Sequence, residues 1–248
     1  LPLMAEKPLS ETLEDAYTQA RMANESGLMY MITQDYRYKP GLYTVKQILD
    51  SGELGAIDAV TVEHYWGFKF TGFRADMPYP LMNDMAVHHF DLLRYFLGSE
   101  PTTLYGKSWS PSWNTLSGKM SAHALMTFPE DVHVAYAASW VANGLTTSFD
   151  GDWRFDCEKG SLAYVNDMIT IQMHDGLHDK NFTYKPSEHR DPIEMAYSRQ
   201  PYLAHELNEY VVNGTMPKTT VQDNVKTLQM VFDVIESSET GQIIHKDS

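Results

Sequence analysis

The chain has 248 residues, 43% of them hydrophobic and 12% aromatic, enough to bury a sizeable core in one large domain or two smaller ones and too apolar for a disordered chain. A formal net charge of −14 at pH 7 gives no electrostatic reason to bind nucleic acid or an anionic membrane surface. A single cysteine, Cys157, excludes an internal disulfide framework, and no apolar run approaches the ~18 residues of a membrane span; a cytoplasmic location is expected.

Leu1 to Ala5 is a short apolar run that reads as a buried strand end, followed by Glu6-Lys7-Pro8. Ser10 to Ser26 carries Leu13, Ala16, Tyr17, Ala20 and Ala23 at helical spacing, with Gly27 just beyond, and Leu28 to Thr33 reads as a second strand. Strand, helix, strand is half of a parallel α/β unit, the tail of a larger open sheet. Pro40 opens a helix with Val45, Ile48 and Leu49, which Asp50-Ser51-Gly52 stops. Ile57 to Trp66 then alternates as a strand, and a loop rich in Gly, Pro and Met runs to Pro80.

A helix is predicted over about 82–97, capped by Asn83 and ended by Gly98. Strands are predicted at Thr103–Trp109, Ser121–Phe128, Val132–Trp140, Thr146–Phe149, Trp153–Cys157, Ser161–Val165 and Ile169–His174. Between them, Pro129-Glu130-Asp131 and Glu158-Lys159-Gly160 signal turns. His178 to Ser198 is polar and irregular, and helices over about 201–213 and 222–239 close the chain. Repeated hairpins without intervening helices predict an α+β fold with an open, mostly antiparallel sheet, one face of which the helix at 82–97 is placed to cover.

At 100° per residue, Asp84, His88, Asp91 and Tyr95 fall on one stripe of that helix, with Met85, Leu92, Leu93, Phe96 and Leu97 on a broad arc away from it. Asp84 at i and His88 at i+4 can hydrogen-bond, which would fix an imidazole tautomer as a general acid/base requires. Asp91 reads as a structural residue, pairing Arg94 or supporting the site, and His89 as packing. Lys7 sits at the carboxyl edge of a strand just before a helix, where open α/β sheets bind ligands, and its amine can donate to a hydroxyl or carbonyl. Taken alone, Lys7 reads as an ordinary turn lysine, and a lone helical histidine is more often structural; the Asp84/His88 spacing brings the two readings of His88 level. Among Trp66, Trp109, Trp113, Trp140 and Trp153, one or two could floor a sugar pocket. His88 and His89 are adjacent and face different ways, and His174, His178 and His189 have loop-like spacing, so no metal site is expected. No nucleophile elbow, P-loop or Gly-x-Gly-x-x-Gly occurs.

Ala5-Glu6-Lys7-Pro8, Tyr36-Arg37-Tyr38-Lys39-Pro40, Ser51-Gly52-Glu53-Leu54-Gly55, Asp84-x-x-x-His88-x-x-Asp91 and the tail Asp223 to Gly241 form an ordered series over nearly the whole chain. It resembles the glucose–fructose oxidoreductase/inositol dehydrogenase/rhizopine catabolism family, Gfo/Idh/MocA. The resemblance implies residues 1–35 as the last βαβ part of a Rossmann fold, residues 36–248 as an α+β substrate-binding and oligomerisation domain, and a C-terminal helix able to pack back on the Rossmann part. It further implies an enzyme using NAD or NADP on a secondary alcohol of a sugar or cyclitol, assembled as a homo-oligomer through the open sheet face, with no nucleic-acid or membrane partner. Lys7, Asp84 and His88 would be catalytic, with Lys7 bonding the reacting oxygen, His88 as base and Asp84 orienting the site. Tyr36, Arg37 and Trp66 would bind substrate, and Glu6 and Lys7 would touch the cofactor. Ala86 stands where the family commonly has glycine. The glycine-rich phosphate loop of the family is absent from the chain, which is therefore expected to be a piece of a longer enzyme, inactive by itself. The alternatives are a non-catalytic sugar-binding or dimerisation module, and the family's NAD-dependent glycosidase branch.

Overall fold

The structure, a computed structural model, describes residues 1–174 and 186–246. Its first unit is parallel: strand β1 (Leu3–Ala5), helix α1 (Leu13–Ser26) and strand β2 (Tyr30–Ile32), with Leu3 opposite Tyr30 and Ala5 opposite Ile32. Thr12 starts α1 by accepting the Asp15 amide, and Gly27 ends it in the left-handed region at φ 64°. Leu3 and Met4 are exposed, so the apolar opening run is not the buried strand end expected of it.

A single 3₁₀ turn, Asp35–Tyr38, links β2 to helix α2 (Pro40–Asp50). Strand β3 (Ile57–Tyr65) follows, then a loop with the short helix α3 (Phe73–Asp76). The expected helix over 82–97 is two elements, a π-turn over Leu81–Ala86 and helix α4 (Val87–Leu97). Asn83 lies inside the turn and caps nothing, whereas Gly98 ends α4 at φ 68° as expected. Strands β4 (Thr103–Trp109), β5 (Ser121–Phe128), β6 (Val132–Ser139), β7 (Asp152–Cys157), β8 (Gly160–Val165), β9 (Met168–Met173) and β10 (Glu188–Arg190) follow, then helices α5 (Gln200–Asn213) and α6 (Val221–Thr240) and the short strand β11 (Ile244–His245). Thr146–Phe149 is not a strand: Thr147 is consumed in bonds to Tyr65, its amide donating to the Tyr65 carbonyl and its hydroxyl oxygen accepting from the Tyr65 amide. Of the stretch expected to be irregular, 178–185 lies outside the described residues, His178 with it, while Glu188–Arg190 forms β10.

Among the described residues the sheet runs β10-β9-β8-β7-β3-β6-β5-β4-β11. Every neighbouring pair is antiparallel except β3 and β6, which run parallel with Ala59 opposite His133. Helices cover one face. Phe90 of α4 meets Tyr136 of β6 edge-on, and Phe96 meets Trp153 and Phe155 of β7 in the same way. Helix α6 crosses β4 at Gly106, where a Cβ would lie 2.6 Å from Val234 Cγ1; Ser237 and Ser238 Oγ accept the Gly106 and Ser108 amides there. The opposite face exposes Tyr105 and Leu125. A smaller core joins the parallel unit to α6: Leu9, Ala16 and Ile32 pack with Val221, Val225 and Leu228. The expected α+β class, with helices over one face of a mostly antiparallel sheet after a βαβ opening, is the observed one.

Candidate active site

The carboxyl ends of β1 and β2 point at the π-turn. Lys7 lies two residues past β1, and its Nζ donates to Asp84 Oδ1 at 2.6 Å and to the Asp84 carbonyl at 2.8 Å. Asp84 Oδ2 accepts from Nε of Arg74, which α3 carries to the same place. Burial alone would raise the Asp84 carboxyl, but Lys7 and Arg74 hold it below the usual carboxylate range. Asp84 is thus an anion shared by two cations, and it does not bond His88. The π-turn is the physical reason: its wider turn breaks the 100° spacing on which the predicted Asp84–His88 contact rests. Arg74 went unread because only a loop was legible from 67 to 80.

His88, in the first turn of α4, is 6% exposed and its Nδ1 is buried without a partner. Its ring lies flat on Tyr36, with centroids 4.0 Å apart and planes 10° from parallel. Stacking on Tyr36, in place of a carboxylate, orients the imidazole. Burial drives the His88 pKa well below the ordinary histidine value, and the positive charges of Lys7, Lys39 and Arg199 push it the same way. The Lys7 ammonium and the buried His88 ring are near enough for the charge of one to depress the pKa of the other.

Arg37 is engaged elsewhere. Its guanidinium is buried, bonding Asp91 through Nε and Nη2 at 2.7 Å each and Asp223 of α6 at 2.7 Å. Asp91 is structural as expected, with Arg37 as its partner; Arg94 pairs instead with Asp223 and Glu100. Trp66 stacks on Phe68 and meets Phe149 edge-on, its indole N–H pointing to the Ser148 carbonyl at 3.3 Å. Glu6 is exposed beside Lys7. His89 is packed, bonding the Tyr136 hydroxyl at 3.0 Å, and His64 beside it is pushed down to about 4 by burial. Trp140 and Trp153 are core residues, as most sheet tryptophans are.

A cavity of about 530 Å³ opens beside Tyr36, lined by Lys39, Phe149, Asp150, Asn166, Asp167 and Arg199. Lys39 pairs with Asp150, and Arg199 with Asp35 at 2.9 Å. This mixture of charged, amide and aromatic groups suits a polyhydroxylated ligand. None of these residues was singled out in the sequence, since their meeting depends on the loop after β6 and on the entry to α5.

Residues 42–163 match the GFO/IDH/MocA C-terminal domain. Over 275 aligned residues the chain is 28% identical to a D-apiose dehydrogenase of Rhizobium rhizogenes, which takes in 98% of this chain and 72% of the relative. In fold it is similar to the aldose-aldose oxidoreductase of Caulobacter crescentus solved with glycerol, with a TM-score of 0.85 at 16% identity over 99% of this chain and 72% of the other. An oxidoreductase of Agrobacterium radiobacter, solved with NAD+, L-tartaric acid and magnesium, gives 0.83 at 18% identity over 99% and 73%.

Proposed function

This chain belongs to the Gfo/Idh/MocA family of oxidoreductases, and from that premise we propose that it supplies the catalytic and substrate-binding groups for NAD(P)-dependent oxidation of a secondary alcohol on a sugar or cyclitol. The observation that carries the reading is the Lys7 amine fixed on Asp84, with its charge helping to keep the buried His88 ring neutral. Lys7 commits two protons to Asp84 and keeps a third to donate to the reacting oxygen. His88, uncharged and with no protein partner on Nε2 among the described residues, takes the hydroxyl proton there. Asp84 acts by fixing the amine, not the imidazole.

The ends of β1 and β2 fit the nicotinamide part of a dinucleotide. Thr33 Oγ1 and both amide atoms of Gln34 are buried without partners next to Ala5, polar groups suited to a carboxamide-bearing ring. Glu6, Lys7, Thr33 and Gln34 are the residues of this chain that would hold it, and the bound nicotinamide would supply the hydride-accepting carbon. Tyr36 backs the Lys39 that lines the cavity and Trp66 lies behind Phe149; Arg37 reaches substrate only through the turn it anchors.

In the full-length enzyme that carries this chain, His88→Ala is expected to lower turnover ~10²–10⁴-fold, the usual range for a general base, in an assay of NADH or NADPH formation over a panel of sugars and inositols. Near-wild-type turnover in a folded variant would remove His88 from the mechanism.

A further inference from the structure

The 3₁₀ turn Asp35–Tyr38 does something to the site that its sequence position alone does not announce. In this geometry side chains three residues apart eclipse, and the Lys39 amide closes the turn on the Tyr36 carbonyl at 3.1 Å. Pro40 holds Lys39 extended, at φ −75° and ψ 131°. The Lys39 ammonium is thereby set 4.0 Å from the centre of the Tyr36 ring. The His88 imidazole is also centred 4.0 Å from that ring and nearly parallel to it. Two groups so close have room only on opposite faces, so the phenol ring is held between an ammonium and the imidazole. Lys39 is in turn tied to Asp150, from the loop before β7, which leaves its ammonium little freedom.

Resting on the reading of His88 as the base, we propose that Lys39 is a positioning residue that acts through Tyr36, pressing the phenol ring against His88 and fixing the plane in which the imidazole meets substrate. The arrangement does the work usually given to a carboxylate on the second ring nitrogen, a group this histidine lacks. It orients the ring without stabilising the imidazolium: an aromatic face welcomes a cation, but here the other face already carries one. The charged and titratable groups around His88 are Lys7 from the end of β1, Asp84 from the π-turn and His89 on its own helix. From the 3₁₀ turn Tyr36 lies against it, with Lys39 acting from beyond the phenol ring; Arg199 acts from the entry to α5, paired with Asp35, and Asp150 is bonded to Lys39. Lys39 is one of the cations among them that oppose protonation of His88.

The test is a proton NMR titration of the histidine Cε1–H signals in the whole chain, with the His88 signal assigned by its loss in His88→Gln. Lys39→Gln is expected to move the His88 midpoint upward, and Lys39→Arg to return it to the wild-type position. An unchanged midpoint in Lys39→Gln would overturn the proposal. Should that variant not fold with Asp150 left unpaired, Lys39→Gln/Asp150→Asn removes both charges, and a smaller upward shift is expected because the carboxylate that partly offsets the ammonium leaves with it. In the active enzyme, Lys39→Gln should lower kcat ~10–100-fold through misplacement of the base, with the acid limb of the kcat profile moved upward. Absence of turnover in the longer wild-type enzyme that carries this chain, with every polyol and both dinucleotides, would sink the proposed function; the ring titration would still decide the role of Lys39.

Discussion

Lys7 and His88 stand out in the sequence as single residues because each lies in a short motif whose chemistry is local. What holds them does not. The partner of Lys7 is 77 positions away, and Asp84 turned from an orienter of the imidazole into an anchor for the amine once one turn of helix widened. Lys7→Met is expected to lower turnover ~10²–10³-fold, as loss of a donor to a developing oxyanion does, with the melting temperature little changed because Arg74 still pairs Asp84. Steady-state kinetics beside a thermal melt checks this, and unchanged turnover would take the amine out of the reaction. Arg37 shows the converse failure. The motif around it is real, but its charge is spent on Asp91 and Asp223 within the protein, something no pattern along the chain reveals.

At the scale of elements, the strand boundaries at 103–109 and 121–128 coincide with those read from alternation, since each strand has one buried and one exposed face. Pairing order was beyond reach: alternation says which residues face the core, not that β3 inserts between β6 and β7. The contacts between elements carry two stability predictions. Asp91→Ala strands the buried Arg37 guanidinium without its bidentate partner and should cost about 3–5 kcal/mol in chemical denaturation. A loss under ~1 kcal/mol would mean that Asp223 alone can satisfy Arg37. Gly106→Ala puts a methyl group into the α6 backbone and Val234, and an overpacking cost of about 1–3 kcal/mol is expected, read as a lowered unfolding midpoint.

For the molecule as a whole, three buried histidines make stability depend on pH. Burial lowers the pKa of His64, His88 and His89 below the ordinary value of about 6.5. As pH falls below that value the unfolded chain takes up protons that the folded chain refuses, so unfolding becomes easier. The melting temperature should therefore decline between pH 7 and about 5, above the range in which carboxylates titrate; a flat profile would contradict it. We also propose the uncovered sheet face as the seat of self-association, with Leu125 61% exposed and Tyr105 41%. Leu125→Lys should then shift the sedimentation of the protein toward monomer, and an unaltered sedimentation coefficient would place the contact elsewhere.

Helix α6 bears on all of this in a way its separation from Lys7 and His88 along the chain conceals. One side of it sits among Leu9, Ala16 and Ile32, the other among residues of the broad sheet, and Asp223 in its first turn grips both Arg37 and Arg94. It is a splint laid across a joint. The amine belongs to one side of that joint and the imidazole to the other, so their spacing is set by the straightness and seating of a rod that touches neither.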